Sequence, residues 1–341
     1  MTANSDSEIA KSATLNPIKL AYFIAFGLSP FFKLEIVHEL KNIDHFVACF
    51  DEEHNSIPQK SQLNLSRDGP TTNWKFIKDF KNQIQPNAED PGCLEIGSCG
   101  LHVVHNAVKR GHKACGWGVS TFLEEMYCLF HESPARREDF ETITGSTTFA
   151  KKFCNDRWLE NGVVIKRALV VLLRFRKYCK SVSPKPDHLV SFQIVSEALD
   201  DPLLEAKLRF LQVVVAISES FLRQFQSSAP MVPFLATELE LLLRKLLRKF
   251  VKPNVLEEAV TVRQLLAIDI SLDASKSNLE NVLDIDIGLG TMNALPRKLS
   301  EFQKRTFYYE RRKLLVATTE KIIEKSPLKY DLTTALGSLP P

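Results

Sequence analysis

Leu204, Leu208, Leu211, Val215, Leu222 and Phe225 follow one another at steps of four, three, four, seven and three residues, and Leu235, Leu239, Leu242, Leu246 and Phe250 repeat the rhythm. At 3.6 residues per turn this spacing lays an apolar stripe along one side of a helix, so two long amphipathic helices are expected. A chain that carries two such stripes has to cover them, either with its own elements or with a partner. The stretch Val163–Tyr178 is apolar nearly all round and reads as a buried helix, and a last helix is expected over Leu299–Lys325. Pro184-Lys-Pro186, Ser227–Pro233 and Ser271–Asn281 read as the links between these helices.

The first third of the chain has a different character. Residues 5–40 alternate polar and apolar groups at near-helical spacing, broken by Pro17 and Pro30, so that 1–40 reads as an N-terminal helical segment. His45-Phe-Val-Ala-Cys-Phe-Asp51 is an apolar run of strand length that ends on a carboxylate. A weaker strand, Leu63–Arg67, is followed by Asp68, and Thr72 or Asn73 suits the cap of a helix running through Trp74 and Phe80 to about Ile84. Cys93–Gly97 reads as a third short strand, and Ser98 as the cap of a helix over Gly100–Lys109. Strand, helix, strand, helix is an α/β pattern that favours parallel pairing. The expected division is 1–40 helical, 41–117 a small α/β region, 118–330 a large helical domain and 331–341 a tail. The fold class is mostly α with a small α/β part.

Composition narrows the function classes. With 44% hydrophobic and 25% charged residues among 341, the chain has the make-up of a globular protein. Seven scattered cysteines without regular spacing read as reduced thiols, which points to an intracellular protein. The N-terminus lacks a charged start followed by an apolar stretch, and no run reaches the length of a membrane span, so no membrane partner is expected. A net charge of +3 does not by itself imply nucleic-acid binding.

The clusters matter more than the total. Arg244, Lys245, Arg248, Lys249 and Lys252 lie opposite the second leucine stripe, and Arg297, Lys298, Lys304, Arg305, Arg311, Arg312 and Lys313 cluster again just before and within the last helix. Either set suits a phosphate backbone, with affinity falling as salt rises, and either suits a solvated helix face. Asp51 and Asp68, both at strand ends, are the acids that could hold Mg²⁺ for phosphoryl transfer, although Asp68 equally suits the opening of an Asp-Gly-Pro turn. Cys99, His102 and His105 recur every three residues, a donor set that suits zinc, or else a packed helix whose polar ends are satisfied locally.

Taken in order, Asp68-Gly-Pro-Thr-Thr-Asn-Trp-Lys75, Leu94-Glu-Ile-Gly-Ser-Cys-Gly-Leu-His-Val-Val-His105 and Arg157-Trp158-Leu-Glu-Asn161 resemble motifs of the hAT superfamily of DNA transposases. Asp6–Lys11, Ala21-Tyr-Phe-Ile, Phe50-Asp51, Ser133–Asp139 and Met231-Val-Pro-Phe234 extend the likeness over most of the chain, toward hAT-like proteins of animals. The resemblance implies a ribonuclease-H-like sheet interrupted by a helical insertion, with Asp51 and Asp68 as the first two catalytic acids. Cys99 and His102 match its Cys-x-x-His element. Arg157 and Trp158 match its Arg-Trp element, where the tryptophan stacks on an unpaired base, a contact worth about 1–3 kcal/mol. DNA is the implied partner and the nucleus the implied location.

The chain departs from that pattern. Only residues 52–67 separate Asp51 from Asp68, too few for the two strands and helix a complete sheet needs there, and this leaves an open strand edge. An N-terminal zinc finger, the final catalytic glutamate and the dimerisation segment are expected to be missing. The leading expectation is therefore a transposase-derived protein that no longer cuts DNA, with residual DNA or protein binding through Arg157, Trp158, Arg244, Lys245, Arg248 and Lys249. A second is a helical interaction module using the leucine stripes at 204–250. A third, an active nuclease, needs the missing acid from Glu301, Glu310, Glu320 or Glu324.

Overall fold

The computed structural model of the chain describes residues 99–155, 158–225, 231–272 and 278–336. The chain divides into two compact units, Met1–Glu95 and Ile96–Pro341, and the described residues belong to the second. The N-terminal helical segment and the strands expected at 45–51, 63–67 and 93–97 lie outside the described residues. Among those described, the secondary structure is helical apart from one antiparallel bridge between Val251 and Leu279.

The helices are α1 (Gly100–Cys115), α2 (Val119–Cys128), α3 (Pro134–Thr144), α4 (Gly162–Ser181), α5 (Val190–Asp200) and α6 (Leu204–Phe225). They continue with α7 (Leu235–Leu247), α8 (Pro253–Glu258), α9 (Val262–Leu266), α10 (Leu289–Asn293), α11 (Glu301–Lys325) and α12 (Asp331–Leu336). The two leucine stripes predict α6 and α7 closely. They point inward: Leu204, Leu208, Leu211, Val215, Leu222, Leu239, Leu242, Leu246 and Phe250 are all buried in one core. These leucines therefore cover each other and their neighbours, and the stripes are not a surface waiting for a partner.

Helix α6 is the axis of the body, with α1, α4, α7 and α10 packed around it. Helix α4 differs from the expected buried rod. Ile165, Ala168, Val171, Leu172, Phe175 and Tyr178 are buried against α6 and α3, whereas Val163, Val170 and Leu173 are exposed. A count of apolar residues cannot separate the two faces when valine and leucine also occupy the outer one. Beneath α4, Phe130 meets Phe140, Phe149, Phe175 and Tyr178 at centroid distances of 4.9–5.4 Å, mostly edge to face, the arrangement that ring quadrupoles favour.

Helix α1 runs to Cys115, six residues beyond the expected end, and packs along α11 in the most extensive helix–helix contact of the described body. It thus shares its core with the helical unit. Gly111 permits the approach: a Cβ there would stand 1.9 Å from Thr318 Oγ1 and 2.6 Å from the Leu314 carbonyl oxygen. After α1 the chain turns through Gly116 and Gly118, with φ of 71° and 64°, a left-handed backbone that glycine adopts without steric penalty. Trp117 between them is thereby aimed back at the core. Its ring stacks on Phe307 at 5.7 Å and meets Phe210 edge-on at 6.0 Å, and its Nε1 donates to Glu310 at 2.8 Å.

Helix α11 begins at a capping box: Ser300 Oγ accepts from the Gln303 N–H at 3.1 Å, and the Gln303 side chain accepts from the Ser300 N–H at 3.0 Å. Ser300→Ala leaves helix donors unsatisfied, and a loss of about 1 kcal/mol in urea denaturation is expected.

Candidate nucleic-acid interface

The Cys-x-x-His element stands at the start of α1. Cys99 is the N-cap residue, and its carbonyl accepts from the Val103 N–H at 3.0 Å. Burial pushes the Cys99 thiol up, but its hydrogen bond with His102 and the charge of that imidazole outweigh burial and hold the thiol below its ordinary value. His105 points elsewhere, and its Nδ1 accepts from the Leu159 N–H at 3.2 Å. Three donors at steps of three residues rotate progressively around a helix, and among the described residues no group of three His, Cys, Asp or Glu side chains converges on one point.

The bond from Leu159 to His105 ties α1 to the 3₁₀ turn Trp158–Asn161. Trp158 is only 2% exposed, tilted against His112 at a centroid distance of 4.5 Å and edge-on to Phe153 at 5.2 Å. Asn161, fully buried, clamps the segment before the turn: its Oδ1 accepts from the Cys154 N–H at 2.8 Å and its Nδ2 donates to the Cys154 carbonyl at 2.7 Å. Trp158 is thus a core residue in this conformation, and a base reaches its ring only if the surrounding packing opens. Arg157, like Asp51 and Asp68, lies outside the described residues.

The basic cluster on α7 is partly engaged within the chain. Arg244 pairs with Glu240 at 2.8 Å and donates to the carbonyls of Ala259 and Val260 at 2.9 and 3.2 Å, which braces the segment after α8. Lys249 pairs with Asp286 and holds that carboxyl below its usual range. Lys245 and Arg248 remain exposed, without an ion pair among the described residues.

On α11, Arg311 is 1% exposed, its guanidinium donating to the Val282 carbonyl at 2.5 Å and lying 4.2 Å from the Tyr308 ring centre. Burial lowers it to about 10. Arg312 donates to the Glu280 carbonyl. These two arginines fasten the 280–282 segment to α11 instead of facing solvent. The acids of the same helix are also engaged. Glu310 accepts from Trp117, Glu301 pairs with Lys304 at 2.8 Å, and Glu320 and Glu324 face Arg110 at 3.9 and 3.1 Å.

The strongest concentration of available charge is on α4. Its twenty residues include Lys166, Arg167, Arg174, Arg176, Lys177 and Lys180 and no aspartate or glutamate. Arg167 donates to the Phe149 carbonyl at 3.4 Å; among the described residues, none of the six makes an ion pair. Lys166, Lys177 and Lys180 are exposed on the outer face together with Val163, Val170 and Leu173.

The chain matches no protein-family model, no curated protein and no solved structure. The site is therefore read from its own geometry. The sequence shows the cations of α7 and α11 as clusters, the first opposite a leucine stripe, whereas those of α4 are hidden in a helix that reads as buried. One countable signal was present: six cations without a single acid in residues 162–181. A helix meant for plain solvation commonly carries both signs, paired three or four residues apart, as α6 does in Glu205–Arg209 and Glu219–Arg223. Among the described residues no helix is long and apolar enough to cross a membrane.

Proposed function

We propose that this chain is a hAT-transposase-derived protein that does not cut DNA and that holds nucleic acid by charge on its helical body, within the nucleus. The incomplete ribonuclease-H-like sheet belongs to this reading, with Asp51 and Asp68 as a vestigial magnesium site. The observation that carries the proposal is α4: six cations, no acid and, among the described residues, no ion pair on one helix, three of the lysines fully on the outer face. Lys245 and Arg248 at the end of α7 add to the surface available for phosphates. The four glutamates of α11, candidates for completing an acidic site, are engaged by Trp117, Lys304 and Arg110.

Binding of this kind is driven by release of counterions from the phosphates. The logarithm of affinity falls linearly with the logarithm of salt, with a slope of about −0.9 per phosphate neutralised on duplex DNA. Replacing Lys166, Lys177 and Lys180 together by glutamine removes up to three such contacts. The slope for a random-sequence duplex is expected to become shallower by about 2 to 3, with no change in thermal midpoint because all three ends are in solvent. Absence of duplex retention by the unaltered protein even at low salt rejects the reading.

A second reading follows from Val163, Val170 and Leu173, which are 49, 64 and 71% exposed beside those lysines. Aliphatic side chains flanked by cations also suit an acidic amphipathic helix of a partner protein. Under that reading, Val170→Ser with Leu173→Ser abolishes the association with that helix and leaves duplex binding as it was.

A further inference from the structure

The outer side of α11 and the 281–283 segment enclose an open cleft of about 660 Å³. Phe302, Arg305, Tyr309 and Lys313 line it from the helix and Leu283 from the segment opposite. Phe302 is 79% exposed and Tyr309 45%. Residues 302 and 309 are two turns apart on one helix, about 10 Å along its axis, with Arg305 between them. Arg305 is exposed and makes no ion pair among the described residues, and Lys313 Nζ stands 4.9 Å from the centre of the Tyr309 ring. Glu310, the carboxylate in the lining, is taken up by the Trp117 indole N–H at 2.8 Å. The opposite wall is built in place: Arg311 and Arg312 hold the carbonyls of Val282 and Glu280.

We propose that this cleft seats a single-stranded stretch of nucleic acid, with unpaired bases on Phe302 and Tyr309 and the intervening phosphates against Arg305 and Lys313. The inference rests on the reading of the body as a nucleic-acid holder and assigns it a second, structurally distinct contact. Two accessible ring faces serve unpaired bases, whose faces are free, and are of no use to a duplex whose bases already stack on one another. Cations spaced between the rings meet the phosphates that link those bases. An acidic peptide would be drawn by the same cations, yet it offers no flat partner for either ring.

The test is fluorescence anisotropy of the full chain with a short labelled oligothymidylate, a duplex of equal length and a polyglutamate peptide. Phe302→Ala combined with Tyr309→Ala is expected to weaken oligothymidylate binding by roughly tenfold or more, since stacking on each ring is lost. Duplex affinity and thermal midpoint are expected to stay within twofold and one or two degrees, about the error of such measurements. Unchanged oligothymidylate affinity in the double variant overturns the proposal, as does a duplex-binding protein that does not take up oligothymidylate. Loss of polyglutamate binding in the double variant, without loss of oligothymidylate, reassigns the cleft to an acidic peptide. Failure of the unaltered protein to retain either nucleic acid would sink the parent reading along with this one.

Discussion

Gly111→Ala is expected to destabilise the helical body by about 3 kcal/mol, the upper part of the range for overpacked cores. The new methyl carbon would lie 1.9 Å from Thr318 Oγ1 and 2.6 Å from the Leu314 carbonyl oxygen, where real carbon contacts essentially never fall below 3.0 Å. The hydroxyl can rotate away, but the carbonyl belongs to the backbone of α11 and moves only with the helix. Relief therefore requires α1 and α11 to separate along the most extensive contact in the described body. Thr318→Ala in the same chain is expected to restore only part of the loss, because the backbone clash persists. Gly145→Ala provides the contrast: nothing lies within 4 Å of its added carbon, and its φ of 69° alone costs about 1–2 kcal/mol. Urea titrations of the three variants check the ordering, and equal midpoints for Gly111→Ala and Gly145→Ala would contradict the close approach.

Acid is expected to undo the same region through His112. The imidazole is 6% exposed and tilted against Trp158, and burial depresses it from 6.5 to about 4. Above about pH 6.5 both folded and unfolded chains hold it neutral, and its packing contribution is fully present. As pH falls from 6.5 the unfolded chain takes up a proton that the folded chain refuses, so the contribution declines and is lost as pH passes through about 4. The gap corresponds to roughly 3 kcal/mol, at about 1.36 kcal/mol for each tenfold change in proton affinity. His112→Phe keeps a ring against Trp158 and removes the proton. The difference in unfolding free energy between the two proteins should then tilt by roughly 3 kcal/mol between pH 7 and pH 4 in favour of phenylalanine. A constant difference over that interval would contradict the burial of a neutral imidazole. Taking the difference cancels the carboxylates that also titrate there, such as Asp286 and Glu324.

The helices were readable where one face alone is apolar. α6 and α7 follow from their leucine stripes. α4 was located correctly but turned inside out in part, because Val170 and Leu173 look like core residues in a linear count while tertiary packing leaves them outside. The role of Arg311 was not readable either. A cation among other cations on a helix gives no hint that it is buried beneath Tyr308 and bonded to a carbonyl 29 residues away. The same holds for Trp158: an Arg-Trp pair looks the same whether the ring meets a base or, as here, His112 and Phe153. Gly111 carried no signal beyond its identity, since a glycine inside a helix announces a close approach only once the neighbouring helix is known.

The pairing of α1 with α11 also sets an order of events on the ribosome. α1 emerges early, yet the helix that covers it is encoded after residues 116–300. Until α11 itself has been synthesised, the side of α1 that it covers lacks its lasting partner in the helical body, and closing so long a loop slows the final step while leaving sticky surface open to other chains. A translation product halted before Glu301 would thus be a ward of the chaperones, however well its middle helices had already assembled.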